Sequence, residues 1–160
     1  MIEVIKADFN IPAHSEAVVD LMNTYALDSM GGGEELSHYV KSNLTIELAK
    51  RKSIHTILAF IDHKPAGLII AIEGFSTFAC KPLLNIHDLI VSPNYRRRGI
   101  SKLLLQTVED IALELGCCKL TLEVLEGNSI AKSAYRTFGF EGYQLNPDMG
   151  RALFWQKKLQ

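Results

Sequence analysis

The sequence predicts an α/β domain in which a mixed central sheet of about seven strands is flanked by about four helices. Three observations carry this. Apolar runs and amphipathic stripes follow one another in the order β-α-α-β-β-β-α-β-α-β-β. Between residues 83 and 140 the succession strand, helix, strand, helix implies a parallel βαβ arrangement inside that sheet. Residues 100–115 carry Leu103, Leu104, Val108, Ile111, Ala112 and Leu115 at helical spacing, with Gly116 as the stop.

Taken in order, residues 2–7 alternate weakly and read as a first strand. Residues 14–30 place Ala17, Val18, Leu21, Met22, Tyr25 and Ala26 on one helical stripe, which ends at the turn-forming Gly31, Gly32 and Gly33. A second helix is expected over 34–50, with Glu34 and Glu35 in its first turn and Lys50, Arg51 and Lys52 at its end, as the helix dipole favours. The apolar runs 54–61 and 66–75 surround Asp62, His63, Lys64 and Pro65, a hairpin with a four-residue turn. Residues 83–91 form a fourth strand, closed by Ser92, Pro93 and Asn94. After the helix at 100–115, residues 119–125 read as a strand. Residues 128–138 read as a short helix with Asn128 available as N-cap and Gly139 as its stop. Residues 140–144 and 151–159 are expected as the last two strands.

The chain has 160 residues, enough for one domain over 1–160 with one core and no staples. Its net charge of −1 argues against non-specific nucleic-acid binding, which needs a basic surface. The first residues lack a signal-peptide pattern, and no apolar run approaches the roughly 20 residues of a membrane span. Cys80, Cys117 and Cys118 read as reduced, partly buried thiols, since adjacent cysteines in a strand point to opposite faces. The expected location is cytoplasmic, with no membrane partner and no metal.

The most informative stretch follows the fourth strand: Ser92, Pro93, Asn94, Tyr95, Arg96, Arg97, Arg98, Gly99, Ile100, Ser101. A buried strand runs into a turn, three arginines and a glycine, and then a long amphipathic helix. The start of such a helix offers unpaired N–H groups and the positive end of its dipole, which suits a phosphate. Gly99 removes a side chain where a ligand must approach the backbone, and the arginines add positive charge. Charge alone is equally met by a solvated basic turn.

Arg96-Arg97-Arg98-Gly99-Ile100-Ser101 resembles the pyrophosphate-binding motif of the GNAT acetyltransferases: Gln or Arg, two residues, Gly, one residue, Gly or Ala. Ser101 departs from the last position but is small. The order of elements is also that of the family's acyl-CoA N-acyltransferase fold. Asn128-Ser129-Ile130-Ala131-Lys132-Ser133-Ala134-Tyr135, ending in Gly139-Phe140, resembles the second signature: Asn, Ala three on, Tyr seven on, then Gly-Phe. The resemblance implies acetyl-CoA as co-substrate. Its pyrophosphate would lie on backbone amides from Arg97 to Ser101, with Arg96 and Lys102 flanking them. Its pantetheine arm would lie along Leu89, Ile90 and Val91, with Asn128 close by. Tyr135 would protonate the leaving thiolate, as a phenol can; without the motifs it would read as a core aromatic beside Ala131 and Phe138.

The nucleophile in such a reaction is the neutral amine, roughly 0.1% of an alkyl ammonium near neutral pH. Members of the family often place a Glu on the fourth strand as base, at positions that correspond to Asn85 and His87. Asn85 cannot accept the proton; His87 can, although it equally reads as a structural histidine. Asp88, expected on the opposite face, Glu73 on the neighbouring strand, and a water chain are the alternatives. The acceptor site implied by the resemblance includes the loop 28–35, whose acids could attract a cationic amine such as a polyamine or aminoglycoside, though Glu34 and Glu35 could simply start a helix. Residues 85–89 also resemble, loosely, the diamine acetyltransferase branch. Tyr25, Phe75 and Phe78 could line a pocket or belong to the core. The expectation is thus an N-acetyltransferase acting on a small-molecule or peptide amine, in an enzyme class where homodimers are common. The alternative is a non-catalytic coenzyme A-binding module.

Overall fold

The computed structural model describes residues 1–159. It holds five strands, β1 (Ile2–Lys6), β2 (Ile54–Ile61), β3 (Lys64–Ser76), β4 (Lys81–Val91) and β5 (Leu120–Leu122). Four helices accompany them, α1 (Pro12–Leu27), α2 (His38–Ala49), α3 (Ile100–Glu114) and α4 (Ser129–Phe138). The sheet order is β1-β2-β3-β4-β5, antiparallel up to β4 and parallel between β4 and β5. The βαβ unit expected from the sequence is therefore β4-α3-β5.

Each face of the sheet has its own core. On one face Ala17, Val18 and Leu21 of α1 pack on Leu58, Phe60, Leu68, Ile70 and Ile90, with Leu44 and Leu48 of α2 alongside. On the other, Ile100, Leu104, Leu105, Val108 and Ala112 of α3 pack on Ile57, Ile69, Ala71, Leu84 and Ile86. This face of α3 seats the helix, and burying its larger side chains is worth about 1.5–3 kcal/mol each. Leu103 and Leu115, expected on the stripe, are exposed, and Leu105 is buried instead.

Several sequence expectations are corrected. The hairpin between β2 and β3 turns on Asp62 and His63 alone, with φ of 48° and 63°, and Ile61 already pairs with Lys64. Two successive positive-φ residues give the twist that a two-residue hairpin needs. Helix α2 starts later than expected, because the Ser37 hydroxyl accepts from Val40 N–H at 3.2 Å and caps it there. Glu34 and Glu35 therefore precede the helix, and Glu35 pairs with Lys41. Cys80 and Cys118 are exposed; only Cys117 is partly buried.

Among the described residues, 140–144 and 151–159 form no strand, so the sheet has five strands instead of about seven. Leu153, Phe154 and Trp155 stand exposed, Trp155 at 83%. A strand is defined by its ladder partner, and the three-residue β5 gives these stretches no bonded neighbour. No described helix is long and apolar enough to cross a membrane.

Candidate active site

Strand β4 is the spine of the site. Up to Ile86 it pairs in parallel with β5, which ends at Leu122. From His87 to Val91 its second edge has no strand beside it, while β3 still pairs with Asp88 through Val91 on the first. A slot opens there, and Leu89, Ile90 and Val91 line it with backbone that an extended, amide-bearing ligand could pair with.

A β-bulge shapes the slot. Ile70 pairs with Asp88 and Ala71 with Ile86, which leaves His87 as the extra residue. A bulge switches the phase of a strand. Leu84 and Ile86 belong to the α3-side core before it, and Ile90 belongs to the α1-side core after it. Asp88 consequently faces the α1 side, the same side as Asn85. That corrects the expectation from simple alternation, which put Asp88 on the other face. Two adjacent polar residues interrupting an apolar strand were the available signal.

Asp88 is half-buried, and desolvation pushes its carboxyl above the usual carboxylate range, opposed by the positive charge of His87. Tyr25 of α1 lies near it: burial raises the Tyr25 phenol, and the charges of Asp88 and Asp28 raise it further. Tyr135 of α4 comes from the opposite core, stacked edge-on against Phe140 at 5.8 Å. Burial raises its phenol too, and Tyr25 adds to the shift. Tyr25, Asp88 and Tyr135 therefore gather near the gap beside β4, from one helix of each core and the strand between them. A phenol whose proton is held this firmly stays a donor at neutral pH.

His87 is exposed, and its Nδ1 lies 2.7 Å from Asn85 Oδ1. Asn85 Nδ2 donates to Thr121 Oγ1 at 3.0 Å, with both Glu123 carboxylate oxygens at 3.5 Å. Thr121 and Glu123 had no signature in the sequence, because only the β4-β5 register brings them to Asn85. Glu73 lies elsewhere, bonded to His55 at 2.7 Å and close to Cys117.

At the end of β4 a 3₁₀ turn (Pro93–Tyr95) leads into the arginine segment. Arg97 and Gly99 both take left-handed backbone, φ 63° and 77°. Left-handed residues alternating with ordinary ones turn successive N–H groups into one concavity. Among the described residues, the first amide after Arg96 to find a backbone partner is Leu103, which donates to Gly99 O at 3.2 Å. The amides from Arg97 to Lys102 are thus available, and a Cβ on Gly99 would meet nothing within 4 Å. Arg96 and Arg98 diverge. Arg96 reaches Asp28 at 3.4 Å, and Arg98 lies 5.6 Å from the Tyr95 ring centre.

Between the first turn of α3 and α4 runs an open groove of about 600 Å³, lined by Ser101, Lys102, Leu105, Ser133 and Phe138 among others. Asn128 caps α4, its Oδ1 accepting from Ala131 N–H at 3.2 Å, as expected of it. The groove reaches the loop at Ser101 and Lys102, and β4 runs into the loop from its other end. Their donor set, amides at a helix N-terminus with open space around Gly99, fits a pyrophosphate with a long extended arm.

This arrangement is matched by known proteins. The Acetyltransferase (GNAT) family matches residues 18–140. The chain belongs to the GNAT family. It is an acyltransferase of the N-acetyltransferase type. Similar to it is the thialysine N-epsilon-acetyltransferase of Caenorhabditis elegans, 26% identical over 81% of this chain and 78% of that protein. The streptothricin acetyltransferase of Streptomyces lavendulae is 42% identical over 46% of this chain and 39% of its own length. Among solved structures, AAC(6')-Iy in complex with a CoA-containing bisubstrate analog superposes with a TM-score of 0.77. It covers 99% of both chains at 18% identity, which establishes the shared fold. The five-stranded sheet of this acetyltransferase, with its slot beside β4, is therefore a GNAT sheet.

Proposed function

We propose that this acetyltransferase moves the acetyl group of acetyl-CoA to a primary amine of a small cationic molecule, by direct attack of the amine on the thioester. The observation that carries the reading is the meeting of Tyr25, Asp88 and Tyr135 at the slot whose far end is the amide-rich loop 97–102.

Acetyl-CoA would supply an activated acetyl group, whose transfer forms a C–N bond and releases a thiolate. The amides from Arg97 to Lys102 would hold its pyrophosphate, helped by the dipole of α3. Leu89, Ile90 and Val91 would pair with its extended arm. His87 Nε2 takes the proton that the attacking amine loses, and Tyr135 Oη gives one to the departing sulfur. Asp88 lies beside His87, and Glu123 lies beyond the Asn85 amide. The same carboxylates, with Asp28 on the loop after α1, favour a substrate that carries positive charge. Thialysine and streptothricin acetyltransferases among its relatives agree with that substrate class. The free thiols Cys80, Cys117 and Cys118 suit a cytoplasmic location.

The test is mass spectrometry of products from acetyl-CoA and a panel of lysine analogues, diamines, aminoglycosides and neutral amines. Acetylation confined to the cationic amines is expected. Equal acetylation of neutral amines of the same size would contradict the substrate class.

A further inference from the structure

His87 can accept a proton only if its free nitrogen carries no hydrogen, and a neutral imidazole has two tautomers. Which of them forms here is decided one residue away. Asn85 bonds on both sides, with one end of its amide 2.7 Å from His87 Nδ1 and the other facing Thr121 and the Glu123 carboxylate. A carboxylate accepts and does not donate, so the amide end that faces Glu123 must be the NH₂. That leaves Oδ1 toward His87, and an oxygen there is satisfied only by a hydrogen on Nδ1.

We infer that Asn85, oriented by Glu123 and Thr121, is a positioning residue that fixes His87 as its Nδ1–H tautomer and leaves Nε2 bare for the substrate's proton. The relay runs from β5 to β4 and depends on the parallel pairing of Asn85 with Thr121. It also explains why an asparagine, useless as a base, stands beside the histidine. Its side chain supplies the acceptor that an exposed imidazole otherwise finds in water, where either nitrogen serves. The charged groups around His87 are Asp88 on its own strand and Glu123 beyond β5; Tyr25 of α1 lies next to Asp88. The inference rests on the reading of His87 as the base, but its structural half stands or falls alone.

The experiment is two-bond proton–nitrogen NMR of ¹⁵N-histidine-labelled protein, with His87 assigned by its loss in His87→Ala. Spectra are recorded where the imidazole is neutral. The expected result is hydrogen on Nδ1 in the wild type and in Asn85→Asp, which keeps the acceptor. In Asn85→Leu the population should move toward the Nε2–H form that free imidazole side chains prefer. In parallel, Asn85→Leu should lower kcat by on the order of 10- to 10²-fold, within the contribution of a general base. KM for acetyl-CoA should be unchanged, and Asn85→Asp should recover much of the rate. Hydrogen on Nε2 in the wild type, or the same spectrum in Asn85→Leu, overturns the inference whatever the kinetics. An Nδ1–H spectrum combined with full activity of His87→Ala would uphold the assignment by Asn85 and refute the base.

Discussion

Ile100 packs so tightly against Gly67 that a Cβ added to Gly67 would lie 2.8 Å from Ile100 Cγ2 and 3.1 Å from Ile90 O. The first turn of α3 is thereby pressed onto β3 and β4, and the amides of the preceding loop are held at the mouth of the slot. Ile100, expected at the cofactor site, has its side chain in the core at 1% exposure, so only its backbone faces outward. Gly67→Ala should cost about 1–3 kcal/mol, the usual range for overpacking. It should also weaken coenzyme A binding, because the helix start must shift. Urea unfolding and a calorimetric titration with coenzyme A check both; native affinity in a folded Gly67→Ala protein would contradict the link.

Tyr135 keeps its ring contact with Phe140 when its hydroxyl is removed. Tyr135→Phe should therefore leave coenzyme A affinity unchanged and reduce turnover by about 10²-fold. Because burial raises the Tyr135 phenol, the wild-type rate should decline only at a pH above the ordinary tyrosine range. A pH–rate profile to strongly alkaline values, within the stability of the thioester, measures this. An alkaline decline that begins lower and vanishes in Tyr135→Phe would contradict the direction of the shift.

Asp88 has a folded-state pKa raised by desolvation. Between its ordinary value and that raised value the folded protein binds more protons than the unfolded one, so this group's contribution to stability falls as pH rises through the window. The cost grows as pH rises through that window and is relieved in acid. Asp88→Asn should raise Tm at neutral pH, by about 2–4 °C for each kcal/mol of relieved cost, with the gain shrinking as pH falls. It should also raise KM for the amine. Scanning calorimetry at neutral and acidic pH checks the sign; a lower Tm at neutral pH would show that Asp88 is stabilised by its surroundings.

Trp155 is the chain's one tryptophan and stands 83% exposed in the segment where a strand was expected. Its emission should match that of indole in water, and acrylamide should quench it freely. Blue-shifted, protected emission in the native protein would mean that 151–159 is covered.

The legible parts of this fold were those written in local chemistry. The stripe from Leu104 to Ala112, the Asn128 cap and the Gly139 stop each act within a turn or two of helix, and each stands where expected. The arginine-glycine loop was legible because a strand, a glycine and a helix start are consecutive in the chain. What failed depends on pairing. The residues at 140–144 and 151–159 have strand composition but no bonded neighbour, and the face of Asp88 is set by a bulge that exists only because of how β3 and β4 register. Glu123 and Thr121 became visible only when β5 was laid beside β4.

The most direct measurement is the pH dependence of thiol release from acetyl-CoA with a saturating cationic amine, compared between the wild type and His87→Ala. With His87 as base, the wild type loses activity as pH falls and the imidazole is protonated, while the much slower His87→Ala lacks that limb. An identical acid limb in both proteins would contradict the account and assign the proton to Asp88 or to water.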